Sequence, residues 1–595
     1  RLRQSSFSKA DPVPEKGITP CVHLCMEVVA PQGAVVYAPF AGRINRVSST
    51  GTSEDMGAEL VLEHTPARGI VFHTIFRGLS SRSLASLSSG EKIEKGQAFA
   101  GIASSTKNGG WPSHVKVQLV THLMENGRTL PSACRQDQAA VWAEICLDPN
   151  LVLQVPDSCF PLPRPTKQET LAARRRRISD NLSIGYHDPV KIVRGWQQYL
   201  FDDTGRQFLD AYNNVPHVGH CHPAVIQAGI KQMKCLNTNT RYLHDAIIAY
   251  ADKLSATMPD PLEVCFFLNS ASEANELAVR LAKAHTGQKD FLVLEGAYHG
   301  NTSTLIDMSP YKHGGPGGEG PPDWVHTAPV ADVYRGPYKK NDPLAGKKYA
   351  DHVKKIIRNL AADNKKPAGF IAESYPSVGG QIIFPPAYLA RVYDHVRAAG
   401  GVCIADEVQT GYGRIGTYFY AFLAQNVVPD IVILGKPIGN GHPIAALVTT
   451  KEIAQSFVTG MEFFSTFGGN TVSCAIGLKV LEITLAENLQ ENAQRVGGYL
   501  LERLRSLKKR YRIIGDVRGS GLFIGMELVR DRKTLEPADQ EASFVVNRMR
   551  DKGVLMGTDG PLHNVVKIRP PLVITTQDAD TIADTLEYIF LEDFA

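Results

Sequence analysis

The apolar positions of this chain follow two patterns, one before about residue 155 and one after about residue 185. In the first part, short apolar runs at 35–37, 59–63, 70–76 and 115–121 are separated by single glycines. Short runs bounded by glycine are typical of β-strands. The pattern therefore predicts an all-β domain, to which we assign residues 1–155.

In the second part, continuous apolar runs alternate with segments of helical periodicity. The runs are 264–268, 291–294, 369–372, 402–405 and 431–434. Continuous apolar runs are typical of strands buried on both faces of a mainly parallel sheet, with helices between the strands. We predict an α/β domain over 179–487 and a smaller α+β domain over 488–595, which includes a strand at 522–528.

Between the two parts lies the segment that we predict to be a linker, residues 156–178. It holds four prolines within ten residues and then the basic run 174–177. Proline-rich segments are extended and do not form packed cores. The predicted architecture is thus multidomain: an N-terminal all-β domain joined to an α/β domain with a small C-terminal α+β domain.

Composition narrows the classes of partner. Of 595 residues, 43% are hydrophobic and 21% charged, which is typical of globular proteins, and the formal net charge is only +4. So small an excess of positive charge argues against nucleic acid or an anionic membrane as partner. No apolar run reaches the roughly 18 residues of a transmembrane helix. We therefore expect a small-molecule partner.

Compartment is inferred from cysteine usage and from the first residues. Ten cysteines are scattered without paired C-x-x-C motifs, which favours free thiols in a reducing compartment. Residues 1–9 carry basic residues and serines but no acid, which fits a solvated tail or the remainder of an organellar transit peptide. We expect the tail and a cytoplasmic protein, with the mitochondrial matrix as the alternative.

Reactive side chains follow three of the predicted strands of the α/β domain. Asp406 follows the run 402–405, and Lys436 follows 431–434 and precedes Pro437. After 264–268, Ser270 and Glu273 have the spacing of a helix capping box, and small residues begin the helix. Ligands of open α/β sheets bind beyond the carboxyl ends of the strands, so these groups should share one crevice.

A lysine, a carboxylate and a helix N-terminus at neighbouring strand ends predict a site for pyridoxal 5'-phosphate. Taken alone, Asp406 would be read as a helix cap and Lys436 as a solvated charge. Together they supply what this cofactor needs: an amine for its aldehyde, an anion for its pyridine nitrogen, and backbone N–H groups for its phosphate.

Residues 180–595 resemble the class III (fold type I) pyridoxal phosphate aminotransferases. The motifs that carry the resemblance are at 219–223, 270–274, 298–300, 404–409, 435–437, 466–470 and 518–519. The resemblance implies Lys436 as the Schiff-base lysine, Asp406 as the partner of the pyridine nitrogen, and Glu373 as a residue lining the active site. One departure is Thr471, where the family usually has proline.

The same resemblance implies the cofactor-binding residues. Tyr298 would stack on the ring and Val408 would pack on its other face, while Gln409 would hydrogen-bond the ring hydroxyl. Ala271 and Ser272 would bind the phosphate. Thr466 would reach the phosphate of the neighbouring subunit, which implies a homodimer with its active sites at the subunit interface.

Within that family, the chain looks most like the ethanolamine-phosphate and 5-phosphohydroxylysine phospho-lyases. The stretches that carry this likeness are 237–244, 309–312, 379–383 and 439–443. Transaminases of the family usually place an arginine three residues before the pair Pro570–Pro571, where it binds the substrate α-carboxylate. Here, as in the phospho-lyases, the position holds a lysine, Lys567, which lacks the planar fork of arginine.

The resemblance therefore implies a phospho-lyase that releases phosphate and ammonia from a phosphorylated amine. Two alternatives stay open: an aminotransferase of the alanine-glyoxylate or omega-amine type, and a non-catalytic subunit of an assembly that retains the fold.

The N-terminal part resembles a lysostaphin-type zinc endopeptidase domain over about residues 20–125, in the stretches 23–27, 31–42, 96–100 and 113–116. That family's zinc ligands would fall on His23, Glu27 and Lys116, and its catalytic histidine on Gly78. A protonated lysine cannot bind zinc, so we expect no metal and a degenerate, non-peptidase domain. An active zinc peptidase and a lipoyl-type fold are the alternatives.

Overall fold

A computed structural model describes residues 22–48, 58–67, 69–104, 113–123, 130–134, 141–142, 144–153 and 165–594. The chain forms two compact units. The first comprises Arg1–Ile184, Val190–Arg194 and Phe201–Gln207, and the second Gly185–Pro189, Gly195–Leu200 and Phe208–Ala595. The domain bounds inferred above remain predictions.

The first unit is built from antiparallel strands. Its centre is a long hairpin, Ala58–Ala67 and Ile70–Leu79, flanked by Gly42–Ser48 on one side and His114–Val120 on the other. Leucine, isoleucine and phenylalanine side chains from these strands form its buried core. The other strands are Val22–His23, Met26–Val29, Val35–Tyr37, Lys92–Ile93, Ala98–Gly101, Ala133–Cys134 and Cys146–Leu147, and the short helices are Ser81–Leu84 and Asn150–Leu153.

The predicted linker contains a helix that the sequence reading missed. Residues 154–164 lie outside the described part, but Lys167–Arg177 is helical and begins with a capping box between Thr166 and Glu169. The basic run 174–177 forms the last turn of this helix, where cations interact favourably with the helix dipole. The spacing of Thr166 and Glu169 is itself a helix start signal, but the prolines just before it favoured an extended linker in the sequence-based prediction.

The second unit is organised around a seven-stranded sheet with helices packed against it. Neighbouring strands follow the order Val264–Leu268, Ala445–Thr449, Ile431–Leu434, Val402–Asp406, Pro367–Glu373, Asp290–Leu294 and Val325–Ala328. Only Ala445–Thr449 runs against its neighbours, so the other six strands end at the same edge. This is the mainly parallel α/β sheet that the apolar runs predict.

Helices of this unit lie before, between and after the strands of the large sheet. They are Pro223–Cys235, Asp245–Ser255, Ala271–Thr286, Ser303–Asp307, Pro310–His313, Ala345–Ala362, Tyr388–Ala398, Lys451–Ser456 and Thr471–Ala486. Two 3₁₀ turns, Ala421–Gln425 and Lys436–Gly439, complete this part.

A second, antiparallel sheet follows in the chain. Its strands are Ile514–Ser520, Phe523–Asp531, Val565–Ile568 and Gly557–Asp559, with Glu536–Pro537 paired to the second of them. The helices Leu489–Arg510, Asp539–Asp551 and Thr576–Asp593 accompany it. These elements form the α+β part expected near the C-terminus.

Short strands also precede the large sheet in the chain: Ile192–Trp196, Tyr199–Asp202 and Gln207–Asp210, the last of which pairs in parallel with Val554–Leu555 through Leu209 and Asp210. No helix of the described residues is long and apolar enough to cross a membrane.

Candidate active site

The ends of the parallel strands enclose a cavity of about 370 Å³. Because neighbouring parallel strands end at one edge, residues far apart in sequence meet there. Eight of the ten residues predicted from the sequence line this cavity: Ala271, Ser272, Tyr298, Glu373, Asp406, Val408, Gln409 and Lys436. The other two, Thr466 and Lys567, are not among its lining residues.

Lys436 directly follows the strand Ile431–Leu434 and its glycine, and its side chain opens into the cavity. Its φ of 36° is in the left-handed region, which is uncommon for a lysine and is seen mainly where surrounding structure enforces it. Burial lowers the pKa of the Lys436 amine, and Arg569 lowers it further, while Asp406 and Glu373 oppose both effects. The amine is therefore more easily neutral than an ordinary lysine.

Asp406 is held in place by three donors. Its Oδ2 accepts hydrogen bonds from His299 Nδ1 at 2.9 Å and Asn275 Nδ2 at 3.1 Å, and its Oδ1 accepts one from Val408 N at 3.2 Å. Asp406 as a whole is 3% exposed. A carboxylate so oriented at the cavity wall suits a protonated ring nitrogen.

Glu373 ends the strand next to that of Asp406, and the two residues are direct register partners. Ser377 donates to the Glu373 carboxylate through both its backbone N–H and its hydroxyl. Burial and the neighbouring Asp406 raise the pKa of Glu373 to about 7. Two buried carboxyl groups this close resist being ionised together, so one proton is readily held here.

The helix Ala271–Thr286 begins at the cavity. Its N-cap Ser270 accepts from Glu273 N at 3.2 Å, but the predicted capping box is only half formed. The Glu273 carboxylate instead accepts from both Asn269 N and Asn269 Nδ2, because that residue offers two donors at once.

The first N–H groups of this helix, those of Ala271 and Ser272, have no acceptor within the helix and can bind an anion. Ser272 Oγ accepts a hydrogen bond from Asn301 N at 3.0 Å, which leaves its hydroxyl hydrogen free to donate toward the same anion.

The remaining cavity residues are Tyr298, Val408 and Gln409. Gln409 Oε1 accepts hydrogen bonds from Asn214 Nδ2 and Arg569 Nη1, each at 2.6 Å. Since both donors use the oxygen, the amide NH₂ of Gln409 is the group left to donate. That orientation is the one a ring hydroxyl or phenolate would need.

Thr466 lines an adjoining cavity of about 600 Å³, which shares Asn269, His442 and Pro443 with the first cavity. Lys567 lies on the strand Val565–Ile568, is 8% exposed, and places its Nζ 3.2 Å from Asp559 Oδ2. The roles predicted for all ten residues remain predictions.

Four residues at or beside this site were missed by sequence reasoning. His299 belongs to the motif at 298–300 but has no role in the sequence-based prediction, and neither do Asn275, Asn214 and Arg569. Only Arg569 had an available signal, because it stands two residues after Lys567 and directly before the proline pair.

In the first unit, Glu27 and Lys116 are register partners on adjacent strands, and their Oε1 and Nζ atoms lie 3.5 Å apart. The side chain of His23 lies outside the described part. Gly78 has φ 83°, and a Cβ built there would lie 2.4 Å from the carbonyl oxygen of His114. Among the described residues, no group of three or more His, Cys, Asp or Glu could hold a metal.

Known proteins resemble the second unit. The profile of the family described as aminotransferase class-III matches residues 183–590. The Drosophila melanogaster protein named alanine–glyoxylate aminotransferase 2-like is 50% identical over 421 residues, which are 70% of this chain and 85% of that protein. The Caenorhabditis elegans protein named ethanolamine-phosphate phospho-lyase homolog 1 is 42% identical, covering 68% of this chain and 90% of its own length.

Solved structures of pyridoxal phosphate enzymes also resemble the second unit. An Arthrobacter phospholyase in complex with phosphoethanolamine has a TM-score of 0.68 and 38% identity, and the match covers 71% of this chain and 99% of that chain. An amine transaminase from an uncultivated Pseudomonas species, in its PLP-bound form, has a TM-score of 0.64 and 28% identity, with 73% and 99% covered.

Proposed function

We propose that this chain, which belongs to the class-III aminotransferase family and is a pyridoxal phosphate-dependent enzyme, is a phospho-lyase. Its substrate would be a phosphorylated amine such as phosphoethanolamine or phosphohydroxylysine. With water, the reaction gives an aldehyde, ammonia and inorganic phosphate. The observation that carries the proposal is Lys567, a point charge at the position where the resemblance expects an arginine to bind the α-carboxylate of an amino acid.

The residues around the cavity fit the cofactor. Lys436 would hold its aldehyde carbon, Asp406 its ring nitrogen, and the amide of Gln409 its ring hydroxyl, while Ala271 and Ser272 would bind its phosphate. When bound, pyridoxal phosphate supplies an aldehyde that condenses with amines and a ring that accepts the electron pair left at the substrate Cα. The negative Asp406 favours the protonated, electron-accepting ring.

Lys436 would move the substrate proton. Its neutral amine takes the proton from Cα, and burial beside Arg569 favours that neutral form. Loss of the Cα proton allows the C–O bond at Cβ to break, and phosphate leaves with the bonding electrons. His299 would act through Asp406, since its Nδ1–H orients the carboxylate.

Transamination is the second candidate, and names alone do not decide against it. Relatives from Drosophila melanogaster and human are named alanine–glyoxylate aminotransferases, whereas the relatives from Caenorhabditis elegans and Arthrobacter are named phospho-lyases. The human relative is also named mitochondrial. We retain a cytoplasmic location as the proposal and the mitochondrial matrix as its alternative.

The deciding experiment measures phosphate and ammonia release from phosphoethanolamine and 5-phosphohydroxylysine, with keto-acid-dependent amine transfer run in parallel. Ethanolamine, which lacks the phosphate, is the matched control. Equal release of phosphate and ammonia that needs no keto acid supports the lyase. Efficient transfer from alanine to glyoxylate without phosphate release favours the transaminase, and a protein inactive in both assays would contradict both candidates.

We also propose a homodimer. Thr466 lines the adjoining cavity and not the one that holds Lys436, as expected of a residue that serves a neighbouring subunit. Large apolar side chains are exposed on the same part of the chain, among them Phe467, Met461 and Val458. Sedimentation equilibrium should give twice the chain mass. A monomer that keeps full activity would contradict this assignment.

A further inference from the structure

Lys567 belongs to a buried charge cluster next to the cavity, together with Asp559 and Arg569. Asp559 Oδ2 lies 3.2 Å from Lys567 Nζ and 3.4 Å from Arg569 Nη2, and it also accepts from Gln381 Nε2 at 3.2 Å. Lys567 and Arg569 are 8% and 4% exposed. Within this cluster, two buried cations share a single carboxylate.

An excess of buried positive charge is costly unless a further anion compensates it. Lys567 reflects this excess: burial and the nearby Arg569 lower its pKa to about 8, although Asp559 acts in the opposite direction. Arg569 Nε is also a buried N–H that has no acceptor in the described part of the chain. An oxyanion reaching this cluster would supply both the missing charge and the missing acceptor.

The cluster is directly connected to the cofactor cavity. The guanidinium of Arg569 bridges Asp559 and the Gln409 oxygen, and Gln409 lines the cavity beside Lys436. Burial lowers the pKa of the Lys436 amine, and Arg569 lowers it further and more than Lys567 does, as expected of a cation close to that amine.

The Lys567 ammonium is also positioned by an aromatic ring. It lies 4.7 Å from the centre of the Tyr212 ring, a cation–π contact. Gly557 faces Lys567 on the neighbouring strand, and a Cβ there would lie 2.2 Å from Tyr212 Cε2. The absence of a side chain at 557 therefore makes room for this ring.

We propose that Arg569 and Lys567, with Asp559 as their exchangeable counter-ion, form the subsite that binds the phosphate group of the substrate. This inference rests on the proposed function and names the part of the site that recognises the leaving group. A phosphate monoester is close to a dianion at neutral pH, so it suits two cations better than one carboxylate does. Arg569 would be the main determinant, because a guanidinium can bind two phosphate oxygens at once.

The test uses the holoenzyme and inorganic phosphate as a competitive inhibitor, with ethanolamine as a second inhibitor that has no phosphate. Arg569→Met should weaken inhibition by phosphate about ten- to a hundred-fold and leave inhibition by ethanolamine within about two-fold. Arg569→Lys should retain part of the phosphate affinity. Arg495→Met, at an exposed site, is the matched control and should behave as the wild type.

Asp559→Asn gives an effect in the opposite direction, which a merely structural role would not produce. Removing the competing carboxylate should tighten inhibition by phosphate several-fold. The cofactor absorbance of each variant reports whether the site is intact. Unchanged phosphate inhibition in Arg569→Met, or equal weakening of both inhibitors, would overturn the subsite.

The two proposals can fail separately. If the wild type releases phosphate from phosphorylated amines but Arg569→Met does so with an unchanged KM, the subsite is wrong and the lyase stands. If phosphate inhibition depends on Arg569 but no phosphorylated amine is cleaved, the subsite stands and the lyase is wrong.

Discussion

Glu373 and Asp406 are register partners at the ends of two adjacent parallel strands, and both residues are almost entirely buried. Burial, together with the nearby Asp406 carboxylate, raises the pKa of Glu373 to about 7. In the unfolded chain, a glutamate titrates near about 4.3. At pH values between these two pKa values, Glu373 is therefore protonated in the folded, cofactor-free protein and ionised in the unfolded chain.

This difference predicts how stability depends on pH. An acid whose pKa is raised by folding stabilises the fold when protonated, and this contribution is lost as the pH rises from about 4.3 to about 7. For cofactor-free protein, the thermal midpoint of the wild type relative to Glu373→Gln should fall between pH 5 and pH 8. Glu462→Gln, at an exposed site, is the control. A constant difference across this range would contradict the raised pKa.

Lys436 should carry the cofactor. Borohydride reduction of the holoenzyme followed by peptide mapping should find a pyridoxyl adduct on Lys436, because it is the lysine that follows a buried strand into the cavity shared with Asp406. Lys436→Ala should lose the adduct, while Lys312→Ala, at an exposed lysine close to Tyr298, should keep it. An adduct on another lysine would refute the assignment and the mechanism built on it.

His299 should act by positioning Asp406. Its Nδ1–H makes a charge-assisted hydrogen bond, of a kind worth about 1.5 to 3 kcal/mol. His299→Ala should therefore weaken cofactor affinity by about ten-fold or more, measured by titrating cofactor-free protein with pyridoxal phosphate. His299→Asn keeps a donor at the equivalent atom and should restore much of the affinity. Equal losses in both variants would point to packing instead of the hydrogen bond.

The residue at position 567 should determine the preference between substrates of the lyase reaction and substrates of transamination. A guanidinium at this position can bind a carboxylate through two parallel hydrogen bonds, which an ammonium cannot. Lys567→Arg should raise kcat/KM for α-amino and α-keto acids about ten-fold relative to phosphate elimination. The surface variant Lys451→Arg is the control. If both activities change by the same factor, position 567 does not set this preference.

Gly78 should tolerate no side chain, which bears on the degenerate peptidase proposed for the first unit. Gly78 and Gly96 have φ values of 83° and 79°, but only at Gly78 would a Cβ meet backbone. Gly96→Ala should cost about 1 to 2 kcal/mol for its backbone conformation. Gly78→Ala should cost about 1 to 3 kcal/mol more, because the carbonyl of His114 must move. Denaturant unfolding of the two variants, compared with the wild type, measures this difference.

The same first unit should not bind zinc through the predicted ligands, because Glu27 is paired with Lys116. Metal analysis of the purified protein checks this expectation. Stoichiometric zinc that is lost in a Glu27→Gln variant, together with cleavage of glycyl peptides, would show instead that the peptidase site is active.

The sequence by itself predicted the ends of five of the seven strands of the large sheet to within one residue, and therefore which residues meet at its edge. It did not predict the strands Val325–Ala328 and Ala445–Thr449. Continuous apolar runs can be read without knowing any partner, because burial on both faces constrains every position of such a strand. Asp406 directly follows one such run and Lys436 follows another after one glycine, so their convergence follows from parallel strand order. The fold class and the pyridoxal phosphate cofactor were predicted in this way and are confirmed by the family and structure matches.

Tertiary structure alone decided which side chains support these residues. Arg569 contacts Gln409 across 160 residues of sequence, and His299 contacts Asp406 across 107. Such contacts depend on how the second sheet packs beside the first and on which rotamers remain available, and neither is encoded in local periodicity. For the same reason, the Glu273 carboxylate accepts a hydrogen bond from the backbone N–H of Asn269 and not from that of Ser270, as the capping box would require. Local patterns predict elements and their ends, whereas hydrogen-bond partners are settled by competition among all the groups that packing brings together.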